Sequence, residues 1–135
     1  MRFPIKMVPV VSPYNNLLHK RLQSIIQTTS GLDALALVTM NGDDIASVLP
    51  PGVGAERFAS MALAAFSLSE QIAAELQRHT LDQLYIRGKY GFMVLLPLDE
   101  QILLVALASE SARPGLVFLE IKRAASELLQ MCSEM

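Results

Sequence analysis

The spacing of apolar residues along this chain changes period several times, and each change marks an element. After Ser12-Pro13, a serine cap with proline at the first helical position, Leu17, Leu18, Leu22, Ile25 and Ile26 recur every three or four residues. His19, Lys20, Gln23 and Gln27 fall on the other side, so the stretch predicts an amphipathic helix. Thr28-Thr29-Ser30-Gly31 closes it, with Gly31 suited to a left-handed cap. Residues 34–40 form a short apolar run that reads as a buried strand. Asn41-Gly42 then signals a tight hairpin into a return strand over 45–49, stopped by Pro50-Pro51-Gly52.

Residues 54–79 are the longest helical stretch, rich in alanine, the best helix former. One stripe runs Phe58, Met61, Ala62, Ala65, Leu68, Ile72 and Leu76, and is expected to lie on the sheet. A second runs Ala59, Leu63, Phe66, Glu70 and Ala73, and implies burial on another side as well. Three strands follow. Residues 82–88 alternate, with Leu84 and Ile86 on one face and Gln83, Tyr85 and Arg87 on the other, the pattern of an edge strand. Lys89-Tyr90-Gly91 turns into 92–96, and Asp99-Glu100 turns into 102–108; both runs are continuously apolar and are expected at the centre, covered on both faces. A last helix begins near 111–114 with Val117, Ile121, Ala124, Leu128 and Met131 on its apolar face. The order is α-β-β-α-β-β-β-α with short strand connections. This predicts a single-domain α/β sandwich, a central five-stranded antiparallel sheet with helices on both faces, of profilin-like type. Residues 1–12 carry Pro4 and Pro9, which exclude helix, and are read as an extended arm preceding a domain over 13–135.

Composition narrows the picture. Of 135 residues, 52% are hydrophobic and 18% charged, against roughly 45–50% and about 25% in average globular chains. This excludes intrinsic disorder, which needs low hydrophobicity and high net charge. No apolar run approaches the ~18 residues of a membrane span. The net charge of −2 excludes a nucleic-acid polyelectrolyte. One cysteine, Cys132, cannot form an internal disulfide, and suits a cytoplasmic, reducing compartment. The apolar excess therefore needs a destination other than a membrane.

Chemistry is sparse. The chain has no phosphate loop of the GxxxxGK[ST] type, no HExxH and no GxSxG elbow. His19 and His79 stand far apart, so no metal site and no cofactor is expected. Gly52-Val53-Gly54 reads as an entry loop to the helix and Asp43-Asp44 as a solvated turn. Tyr85, Arg87, Lys89 and Tyr90 mix aromatic and basic residues, too few for a nucleic-acid reader in an acidic protein. No catalytic residue is assigned.

Three stretches carry a resemblance: Ala36-Leu37-Val38-Thr39-Met40-Asn41-Gly42-Asp43-Asp44-Ile45-Ala46-Ser47; the run from Leu81-Asp82-Gln83-Leu84-Tyr85-Ile86-Arg87-Gly88 through Lys89-Tyr90-Gly91 to Pro97-Leu98; and Pro114-Gly115-Leu116 leading to Lys122-Arg123-Ala124. Across about residues 15–130 the chain resembles the Roadblock family, the Roadblock-type dynein light chains and their prokaryotic relatives, including MglB-like regulators of Ras-like GTPases. The resemblance implies a homodimer in which the half-polar third strand pairs with its counterpart and the long second helix packs beside its twin. It places Ala59, Leu63, Phe66 and Glu70 of the helix, and Gln83, Tyr85 and Arg87 of the strand, at that interface. It also implies a non-enzymatic regulator that binds a small Ras-like GTPase, or alternatively a scaffold linking larger assemblies. None of Arg57, Arg78 and Arg87 is marked by the resemblance as an arginine finger.

Overall fold

The computed structural model describes residues 13–134. The arm expected over residues 1–12, and the Ser12 cap with it, lie outside the described residues. The chain runs α1 (Pro13–Thr28), β1 (Leu32–Thr39), β2 (Asp44–Val48), α2 (Ala55–Glu75), β3 (Leu84–Gly88), β4 (Gly91–Pro97), β5 (Ile102–Ser109) and α3 (Pro114–Ser133). The predicted order and all eight elements are present.

The five strands form one antiparallel sheet in the order β2-β1-β5-β4-β3. Hairpins make the β1–β2, β3–β4 and β4–β5 pairs, and β5 closes the sheet by lying against β1. The three apolar runs, β1, β5 and β4, take the centre, where both faces are covered. Alternation divides their side chains into two layers. Leu35, Leu37, Phe92, Val94, Leu104 and Ala106 face α1 and α3, meeting Leu18, Leu22 and Ile25 of α1 and Val117, Ile121 and Leu128 of α3. Ala36, Val38, Leu95, Leu103 and Val105 face the opposite way, toward Phe58, Ala59, Ala62 and Phe66 of α2.

Local chemistry sets the connections. Gly31, at φ +83°, turns the chain from α1 into β1, and a methyl there would stand 2.5 Å from the Ala112 Cβ at the foot of α3. The first hairpin is wider than a two-residue turn. Residues 40–43 form a loop in which Gly42 is left-handed, and the Thr39 hydroxyl accepts from the Asn41 and Asp43 N–H groups at 3.2 and 3.1 Å. A register shift between Leu37 and Val38 brings Val38 opposite Asp44 and absorbs the extra length. The second hairpin is tight, with Gly88 opposite Gly91 across Lys89-Tyr90.

α2 ends earlier than the apolar pattern predicts. The helix stops at Glu75, because Gln77 adopts φ +57° and His79 φ +67°. His79 therefore does not stand in the last helical turn. β3 is likewise shorter than 82–88, beginning at Leu84.

Candidate functional site

The wide spread of apolar residues on α2 resolves into two faces that cut across the two expected stripes: Phe58 and Ala62 of the first lie on the sheet as expected, together with Ala59 and Phe66 of the second. Ala59 and Phe66, placed by sequence at a partner, are 0% and 2% exposed and pack on the protomer's own sheet. Leu63 is half-buried on the same side, against Gly42 of the first hairpin. Ala59 and Phe66 are thus core residues of one protomer, while Leu63 keeps part of its side chain exposed. The alanines let the helix axis approach the sheet, and Phe58 and Phe66 fill the space on either side. Glu70 continues that face but has left the sheet, and is exposed.

The other stripe is the free one. Met61, Leu68, Ile72 and Leu76 are 54%, 59%, 50% and 63% exposed, with Ala65 half-buried between them. No residue of α2 beyond Phe66 is buried. At 1.5 Å per residue the helix anchors its first half on the sheet and carries its second half, with Leu68 and Ile72, clear of it. Sequence assigned these four to the sheet along with Phe58 and Ala62, and only Phe58 and Ala62 lie there.

β3 supplies the second part of the surface. It stands at the end of the sheet, as predicted, with β4 on one side and, among the described residues, no strand on the other. Leu84 and Ile86 pair with Leu95 and Met93 and therefore lie on the α2 side; Leu84 packs into that layer, while Ile86 is exposed. Tyr85 and Arg87 pair with Val94 and Phe92 and lie on the α1–α3 side. There the Tyr85 ring stands 5.3 Å from Phe92 and 6.1 Å from Phe118 of α3. The Arg87 guanidinium donates to the Tyr85 hydroxyl at 3.1 Å and lies 5.8 Å from the centre of the Phe92 ring. This contact over an aromatic face is worth about 0.5–1 kcal/mol at an exposed site. Gln83 is exposed just ahead of the strand. The structure thus gathers Tyr85 and Arg87 with Gln83 at one edge, apart from Ala59 and Phe66 inside the core.

The rest of the molecule offers little for chemistry. A cleft of about 630 Å³ opens between α2 and the β4–β5 turn, floored by Met40, Leu63 and Phe66 and rimmed by Glu70, Asp82, Asp99 and Glu100. A second of about 520 Å³ lies by the first hairpin, next to Cys132. Burial, and then the nearby Asp99 carboxylate, push the Cys132 thiol up from its ordinary value, so it stays protonated and inert at neutral pH. Among the described residues no group of His, Cys, Asp and Glu is arranged to hold a metal ion, and no helix is long and apolar enough to cross a membrane.

The described residues form a three-layer α/β domain, with an apolar stripe of α2 exposed and β3 at an edge of the sheet. The chain belongs to the Roadblock/LC7 domain family, whose model matches residues 18–108. It is 37% identical over 106 residues to an uncharacterized protein of Methanocaldococcus jannaschii, covering 78% of this chain and 92% of that one. Its fold is similar to a solved structure of MglB in a tetrameric arrangement, at a TM-score of 0.82 and 19% identity, covering 98% of both chains. It is also similar to profilin IA of Acanthamoeba castellanii, at a TM-score of 0.60 and 14% identity over 83% of this chain and 96% of that one. At these identities both likenesses speak to the fold, which is the profilin-like type expected from the element order and the MglB-like type implied by the resemblance.

Proposed function

We propose that this protein is a homodimeric, non-enzymatic platform that binds a small Ras-like GTPase and modulates its nucleotide cycle. The observation that carries the dimer is the coincidence, on the α2 side of the sheet, of an apolar helical stripe with an open strand edge. A single protomer has no use for either. Covering a half-exposed Met, Leu or Ile contributes about 1 kcal/mol, and a two-fold axis counts each of the four side chains twice. That sum is on the order of the 4–15 kcal/mol that association costs, before any hydrogen bond between strand edges is added. An open edge left unpaired is itself a liability in solution.

The GTPase is drawn from the MglB-like regulators that the sequence resembles. A dimer that holds the switch loops of a GTPase in one arrangement shifts its nucleotide state by the difference in affinity between the two forms. Positioning of this kind needs no catalytic group from the platform, in keeping with a sequence that holds no catalytic motif. Hydrolysis itself depends on how the attacking water and phosphates are held.

The test uses the full chain and a Ras-like GTPase from the same organism, loaded with GDP or with a non-hydrolysable GTP analogue. Calorimetry is expected to show one nucleotide form bound roughly ten-fold or more tighter than the other, a difference of about 1.4 kcal/mol, with an altered rate of GTP turnover. Absence of a complex with either form overturns the reading. Binding with turnover and exchange unchanged replaces it with the scaffold alternative.

A further inference from the structure

We infer that residues 1–12 of this chain dock across one end of the sheet, in a groove running from the α1–α3 side to the α2 side, with Arg2 and Lys6 among the carboxylates on its rim. The groove is made of the two clefts described above. The one of about 520 Å³ lies beside Cys132 of α3, and the one of about 630 Å³ lies beside α2. Met40 lines both, and Gln101 of the first follows Glu100 of the second, so the clefts adjoin over the first hairpin and the β4–β5 turn. The described chain begins at this same end. α1, at 16 residues, and β1, at 8, are each roughly 25 Å long. The turn at Gly31 folds one back along the other, which returns Pro13 to the level of Thr39. Consistent with this, His19 in the second turn of α1 is near enough to Asp44, at the start of β2, to act on its charge. Crossing the two layers from α1 to α2 takes about 20 Å. At about 3.3 Å per residue, Lys6 reaches up to ~23 Å from Pro13 and Arg2 up to ~36 Å, so both attain the α2 cleft.

Charge selects the occupant. Glu70, Asp82, Asp99 and Glu100 rim the α2 cleft, and no described Lys, Arg or His lines either cleft. Among the described residues none of these four carboxylates is in an ion pair. Residues 1–12 carry Arg2 and Lys6 and no acidic residue. In an extended chain those two share one side, and Phe3, Ile5 and Met7 share the other, which suits a floor of Met40, Leu63 and Phe66. Pro4 and Pro9 restrict the free chain and so lower the entropy lost when it is held. The same prolines disfavour adding the segment as a strand beside β2. They stand at an even and an odd position, so in either phase one of them faces the ladder with no N–H to donate. The covalent link to α1 keeps the segment at a high effective concentration over its own groove, ahead of a basic peptide free in solution.

Paramagnetic relaxation enhancement in the whole chain, labelled with nitrogen-15, reads the position of the segment. A nitroxide is attached at Thr80→Cys, on the rim of the α2 cleft, in a Cys132→Ser background. The amide signals of Arg2, Phe3, Ile5 and Lys6 are expected to broaden more than those of Val10 and Val11, which stay on the α1 side. A nitroxide at Lys89→Cys, at the far end of the sheet, is expected to leave residues 2–6 sharp. Replacing Glu70→Gln and Glu100→Gln together, or adding about 0.5 M salt, is expected to lower the enhancement at residues 2–6 roughly two-fold or more. Enhancement from Thr80→Cys no greater at residues 2–6 than at 10–11, or matched from Lys89→Cys, overturns the docking. Enhancement that neither the paired substitution nor salt reduces overturns the role of the carboxylates. Nitroxide-free, isotope-labelled chains are also mixed with nitroxide-bearing chains of natural isotope content. Enhancement at residues 2–6 in that mixture assigns the segment to a second copy and overturns docking within one chain.

Discussion

At the scale of single residues, the end of α2 holds a left-handed position occupied by glutamine. The Gln77 N–H donates to the Ala74 carbonyl at 3.0 Å and the Arg78 N–H to the Ala73 carbonyl at 2.8 Å. This is the paired Schellman closure of a helix, in which the residue after the cap takes positive φ and is usually glycine. A side chain there costs about 1 kcal/mol, offset in part by the greater freedom glycine has when unfolded. Gln77→Gly is therefore expected to raise stability by roughly 0.5 kcal/mol, measured by urea unfolding. Gly91→Ala has the opposite sign. Gly91 sits at φ +153°, where an added methyl would run into the Ala108 carbonyl of β5. Backbone cannot give way there as a side-chain tip does, so a loss of about 2 kcal/mol or more is expected in the same assay.

At the scale of elements, the two faces of α2 separate folding from association. Phe66 is part of the core, and Phe66→Ala is expected to cost about 3–5 kcal/mol in urea unfolding of any oligomeric form. Leu68 lies on the free stripe, so Leu68→Glu is expected to leave the circular dichroism spectrum unchanged while halving the mass seen by light scattering. A Leu68→Glu variant that remains a dimer removes α2 from the interface. The existence and order of these elements were readable because periods of two and of three to four interchange cleanly along the chain. That the face of α2 on the sheet combines Phe58 and Ala62 of one stripe with Ala59 and Phe66 of the other was not readable. Helical spacing sets the angle between two stripes, and both here are apolar; the choice falls to fit, where alanine at 59 and 62 permits close approach and phenylalanine at 58 and 66 fills the remaining volume. The end of α2 was also hidden, since Leu76 continues the apolar period while only the backbone at Gln77 departs from it. The width of the first hairpin escaped for a similar reason: the Asn41-Gly42 pair marks a turn, but the Thr39 hydroxyl and the register shift at Val38 determine its size.

At the scale of the whole molecule, the apolar excess of composition divides between a core that one protomer fills and an exposed surface that the proposed dimer would cover. The three central strands account for the first part, with both faces covered. The α2 stripe and the β3 edge belong to the second, and in the proposed dimer they would make stability depend on concentration. If unfolding separates two chains, a hundred-fold rise in protein concentration stabilises the dimer by RT ln 100, about 2.7 kcal/mol. Spread over the unfolding entropy of two 135-residue chains, at about 2.1 cal/mol/K per residue, this raises the melting temperature by roughly 5 °C. Scans between 1 and 100 times a micromolar baseline are expected to show that shift in the native chain. In Leu68→Glu the shift should vanish and the melting temperature fall below the lowest native value, because the variant keeps its core and loses only the partner. A native melting temperature that does not move with concentration would mean that the α2 stripe is not buried against a second copy at these concentrations, and would leave it free for a different protein.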